Sequence, residues 1–158
     1  MSLVADGSQI AWVVSVGFAN RVLVVDDEPA IRALISKIVQ RAGLAVDAAC
    51  DGAQAMEMLR ANAYNVLVID LMMPNVNGYD LIDFVRDSAR PRPAIIVITA
   101  GDTSLIRRLD PTMVHSVLRK PFDIDVLGDL ISAAAQSMED GQRAISDSNV
   151  LDFRKNVC

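Results

Sequence analysis

The chain has 158 residues, 52% of them hydrophobic and 4% aromatic, with a net charge of −5, which suits one aliphatic-cored domain with appendages and excludes a disordered chain. The acidic balance excludes a basic nucleic-acid footprint, so direct DNA contact would have to come from another chain. Two cysteines without framework spacing (Cys50 and Cys158) suit a reducing compartment, and the single histidine, His115, excludes a multi-histidine metal site.

The first 20 residues read as an N-terminal extension, open to being an extra strand, a partner-binding segment or a disordered lead. Its apolar run, IAWVVSVGF at 10–18, is too short to span a bilayer. Only one charge, Asp6, precedes it, so it lacks the basic start of a secretory signal. The expectation is a soluble cytoplasmic protein with no membrane segment.

From Arg21 onward strand and helix patterns alternate. VLVV at 22–25 is a continuous valine-rich run, as expected of a strand covered on both faces. Pro29 opens a helix, Ile31, Leu34, Ile35, Ile38, Val39 and Ala42 share one face of it, and Gly43 stops it. LAVDAA at 44–49 is a weaker strand and 52–62 a helix. NVLVID at 65–70 is a strong strand, followed by a loop and a helix over 78–89. AIIVIT at 94–99 is the fourth strand, a short helix covers 104–109, MVHSVL at 113–118 is the fifth strand, and the last helix covers 123–138. Residues 139–158 are polar with scattered apolar positions and read as a tail or the start of a linker. Five strands alternating with five helices imply a doubly wound α/β domain over 21–138, with a parallel sheet and helices on both faces.

In such a sheet ligands bind beyond the carboxyl ends of the strands. The first strand ends in Asp26-Asp27, the third in Asp70, the fourth in Thr99-Ala100, and the fifth near Lys120-Pro121. Three clustered carboxylates repel and raise one another's pKa unless a cation neutralises them. Magnesium suits such oxygen donors, usually with one or two carboxylates and a phosphate oxygen. Asp70 can then act as a nucleophile that forms an aspartyl-phosphate, with Lys120 neutralising the incoming group and Thr99 and the Ala100 amide donating to it.

The stretches VLVVDDEP, VLVIDLMMPNVNG, IIVITAG and LRKPF, in that order, resemble a bacterial two-component response-regulator receiver domain. The resemblance implies a flavodoxin-like sheet of order 2-1-3-4-5 and a signalling domain with its own phosphorylation and dephosphorylation chemistry, rather than a metabolic enzyme. It makes Asp70 the phosphoacceptor and places Mg²⁺ among Asp26, Asp27, Asp70 and the Met72 carbonyl. Thr99 becomes the switch hydroxyl, Lys120 the phosphate-facing amine, and Pro121 the residue after a cis peptide bond. The implied partners are a histidine kinase or histidine phosphotransfer protein upstream and an unnamed protein downstream, with a homodimer left open. One departure stands out: the family's aromatic switch position on the fifth strand is Val117. Met72 stands where the family's side chain influences phosphoryl hydrolysis.

Two other readings compete. A degenerate receiver would serve as a constitutive interaction module, which Val117 leaves open and the intact acids, Thr99 and Lys120 argue against. A Mg²⁺-dependent phosphatase with an aspartate nucleophile would carry a second acid two residues later, where Met72 stands, and a cap that no insertion here is long enough to form. Taken singly, Asp26 and Asp27 also suit a helix start, Lys120 a surface and Thr99 a structural role. Cys50 reads as a small buried hydrophobe and His115 as structural. Arg107, Arg108 and Arg119 read as a solvated face or a partner surface.

Overall fold

The computed structural model describes residues 20–88 and 91–155. The N-terminal run at 10–18 and Cys158 lie outside the described residues. The strands are β1 (Arg21–Val25), β2 (Ala45–Ala49), β3 (Val66–Ile69), β4 (Ala94–Thr99) and β5 (Val114–Arg119). Between and after them run α1 (Pro29–Arg41), α2 (Gly52–Ala61), α3 (Gly78–Asp87), α4 (Thr103–Ile106) and α5 (Ile124–Lys155). All strand pairs are parallel, in the order β2-β1-β3-β4-β5.

Alternate residues of the central strands feed two separate cores. Leu23, Val25, Leu67, Ile69, Ile95 and Val97 pack with α2 and α3 residues such as Ala55, Leu81 and Val85. Val22, Val24, Val66, Val68, Ile96 and Ile98 pack with Ile35 and Val39 of α1 and Leu127 and Ile131 of α5. This two-sided burial is why β1, β3 and β4 read as unbroken apolar runs.

Local chemistry sets the helix ends. Pro29 occupies the first turn of α1, and Gly43, at φ +78°, follows its last turn. There the Leu44 amide donates to the Val39 carbonyl and the Gly43 amide to the Gln40 carbonyl, a Schellman closure. Asp51 caps α2 through the Gln54 amide at 2.7 Å, and Asn77 and Asp80 form a capping box at α3.

Two helices differ most from their predicted limits. α4 ends at Ile106, and the amides of Arg108 and Leu109 turn back to carbonyls only three residues earlier, so the apolar-basic run 107–109 closes as tight turns. α5 continues past 138 to Lys155, through a stretch with no proline to break it. Cys50 is exposed rather than buried, because β2 ends one residue before it and the chain turns there into the α2 cap.

Candidate active site

The carboxyl ends of β1, β3, β4 and β5 lie along one edge of the sheet. Asp26, directly after β1, is 1% exposed, and Asp70, directly after β3, is 5% exposed. Asp27 is exposed beside them. Carboxylate oxygens of Asp26, Asp27 and Asp70 lie within 4.8 Å of one another.

Each buried acid is held at one oxygen by the backbone. Asp26 Oδ1 accepts from the Glu28 amide at 2.9 Å, and Asp70 Oδ1 accepts from the Met72 amide at 3.0 Å. The other oxygens face a shared cation: Lys120 Nζ donates to Asp26 Oδ2 and to Asp70 Oδ2, each at 3.0 Å. Glu28 Oε1 lies 3.4 Å from the same ammonium. Lys120 leaves β5 just before a cis bond to Pro121, and its amide donates to the Thr99 carbonyl at 3.0 Å.

The electrostatics follow from this enclosure. Burial pushes the Asp70 carboxyl above the ordinary carboxylate range, opposed by the Met72 amide and Lys120 and reinforced by Asp26. Burial alone would lower Lys120, but its hydrogen bonds to Asp70 and Asp26 outweigh it and hold the ammonium above its usual range. The donor set is hard oxygen, already crowded enough to need a cation, so these residues fit a divalent ion of magnesium type.

Thr99 is fully buried at the end of β4, and its Oγ1 accepts from the Gly101 amide at 3.1 Å. Ala100 is exposed beside it. The Met72 side chain is 56% exposed at the rim. Val117 is half-buried and packs on the α2/α3 core. His115 is exposed, with Nδ1 2.8 Å from Ser116 Oγ.

Two residues of the site were not singled out from the sequence. Glu28 makes no side-chain cap at α1 and turns to Lys120 instead. Arg32 donates from Nη1 to the Asp26 carbonyl at 2.7 Å. For Glu28 the signal was its place in the run Asp26-Asp27-Glu28; for Arg32 no local pattern marks a side chain that bridges six residues back to a carbonyl.

The family of the response regulator receiver domain matches residues 22–132. The chain belongs to that family. The receiver is 31% identical over 116 residues to a probable chemotaxis protein CheY of Rhizobium etli, covering 72% of this chain and 90% of the relative. It is 34% identical over 124 residues to the transcriptional regulatory protein TrcR of Mycobacterium tuberculosis, covering 78% of this chain and 44% of the relative. The receiver thus spans under half the length of such transcriptional regulators, 42% for TcrA of the same species. Among solved structures it is similar to the Thermotoga maritima response regulator TrrA, in complex with Mg²⁺ and BeF. That match has a TM-score of 0.66 and 28% identity, over 73% of this chain and 98% of the other. A Francisella response-regulator receiver domain is likewise similar, at TM-score 0.68 and 28% identity, over 75% of this chain and 98% of the other.

Proposed function

We propose that this receiver accepts a phosphoryl group on Asp70 from a histidine kinase or histidine phosphotransfer protein, and signals to a protein partner by a shift between two surface conformations. The observation that carries this reading is Lys120 Nζ bridging the buried carboxylates of Asp26 and Asp70 at 3.0 Å each. An ammonium in that position already lies beside the Asp70 oxygen that would attack.

Asp26, Asp27 and Asp70, with the Met72 carbonyl, would hold Mg²⁺. When bound, the ion supplies positive charge to phosphoryl oxygens and orients the donor. The chain's own residues do the rest. The Met72 amide holds Asp70 Oδ1, which leaves Oδ2 as the nucleophilic oxygen. That oxygen attacks phosphorus, its bond to phosphorus forms, and the bond to the donor's nitrogen or oxygen breaks, the leaving group departing with its electron pair. Lys120 then balances the charge of the new group, and the Thr99 hydroxyl and Ala100 amide donate to its oxygens. Hydrolysis by water returns the free carboxylate. The functional unit spans 21–138, with 1–20 and 139–158 as appendages, and the cytoplasm is the compartment of such a phosphorelay. Among the described residues no helix is long and apolar enough to cross a membrane.

The test is intact mass after incubation with Mg²⁺ and acetyl phosphate. One added phosphoryl group is expected, absent without Mg²⁺ and absent in Asp70→Ala. No modification, together with no binding of beryllofluoride, would favour the constitutive module.

A further inference from the structure

The receiver carries valine, not an aromatic, at position 117 of β5, and a valine side chain has no ring or hydroxyl to swing. A tyrosine from a different element lies against the segment that follows Thr99. Tyr79 on the first turn of α3 donates from its hydroxyl to the Leu105 carbonyl of α4 at 2.6 Å. The Arg108 guanidinium sits 4.9 Å from the centre of the Tyr79 ring. Tyr79 packs against the same core as Val117, Leu109 and Met113.

The contacts from Thr99 to that hydroxyl are continuous. Thr99 Oγ1 accepts from the Gly101 amide at 3.1 Å. The Leu105 side chain lies so tightly on Gly101 that a Cβ there would meet its Cδ1 at 2.6 Å, with Thr99 Oγ1 at 3.2 Å. Asp102 Oδ1 accepts from the Ser104 and Leu105 amides at 2.9 and 3.3 Å, which binds 102–105 into one unit. At the other end, Gly78 places α3 directly on the phosphoacceptor loop, since a Cβ on it would lie 2.7 Å from the Asp70 carbonyl and Leu71 Cα.

We propose that Tyr79 is the positioning residue that ties the Thr99 hydroxyl to α4 in this chain, in place of an aromatic on β5. With Thr99 bonded to Gly101, Leu105 is seated and its carbonyl holds Tyr79. When the Thr99 hydroxyl turns toward a phosphoryl group on Asp70, Gly101 loses its acceptor and the 101–105 unit shifts. The Leu105 carbonyl then leaves Tyr79, and the ring carries the Arg108 charge to a new position on the surface. This assignment deepens the phosphoacceptor reading and rests on it for its biological purpose.

The test compares amide hydrogen exchange over 101–109 in the full chain, Tyr79→Phe, Thr99→Val and the double variant. Each single change should speed exchange about five-fold, the loss of roughly one net hydrogen bond. The double variant should be no faster than either alone, because both break one linkage. Multiplied effects, about 25-fold in the double variant, would overturn the proposal. With carbon-13 at tyrosine Cζ, the Tyr79 resonance should move in Thr99→Val while that of Tyr64, bonded to Asp47 at 2.7 Å, stays fixed; an unmoved Tyr79 would equally overturn it. Neither readout needs a phosphoryl group, so this assignment and the phosphoacceptor reading, which beryllofluoride binding tests, fail separately.

Discussion

Without the Lys120 ammonium, Asp26 and Asp70 would face each other in a place water scarcely reaches. Lys120→Met should therefore cost about 3 kcal/mol in urea melts free of divalent ions. Millimolar Mg²⁺ should recover part of that loss; an unchanged melt would show that the ammonium is a bystander. Asp70 gives a pH signature of its own. Its pKa is raised in the fold, chiefly by burial, so the folded state binds more protons there than the unfolded chain does. Stability from this group is full below the unfolded pKa of about 4 and declines as pH rises through the folded value. Relative to Asp70→Asn, the metal-free protein should thus lose stability as pH rises above the unfolded value of about 4; a gap of constant size there would contradict the assignment. Met72 stands at the rim, more than half exposed, two residues past Asp70, and on the proposed reading it is the side chain an attacking water would meet. Replacing it with asparagine should speed dephosphorylation several-fold by offering that water a hydrogen-bond partner, and equal rates would sink this role. The acids, Thr99 and Lys120 were legible in the sequence because each ends a strand. Glu28 was not, because nothing local says that a helix-start acid will turn toward a lysine 92 residues away.

The α2 and α3 helices are seated by contact as much as by capping. A Cβ at Gly52 would lie 2.6 Å from the Val76 carbonyl, and one at Gly78 2.7 Å from the Asp70 carbonyl. Both contacts are to backbone, which cannot step aside. Gly78→Ala should cost about 2 kcal/mol and slow phosphorylation, since it displaces the loop carrying Asp70; full activity with an unshifted melt would refute the close approach. Strand positions were readable from apolar runs because β1, β3 and β4 are covered on both faces. Helix ends were less so. α4 stops early because Asp102 caps a single turn, whose i→i+3 closure leaves the apolar-basic pattern of 107–109 outside it. The end of α5 was misread because polar composition alone does not stop a helix that lacks a proline, and the isolated Gly141 is tolerated within it.

The sheet divides the molecule into two cores that share every central strand. Neither can open without exposing strand backbone common to both, so the described unit should unfold as one. Leu81→Ala on one side and Leu127→Ala on the other should each cost about 3 kcal/mol with an unchanged denaturant slope. A second transition in either variant would show that the halves are separable. The ion cluster has a consequence in time as well as in space. Asp26, Asp27 and Asp70 all leave the ribosome well before Lys120, the residue that makes their company tolerable. A nascent chain short of β5 therefore holds the acids that follow β1 and β3 without the ammonium that bridges them in the fold. The cluster therefore closes only once the edge strand β5 has been laid down beside β4, which makes the last strand of the sheet the step that finishes the site.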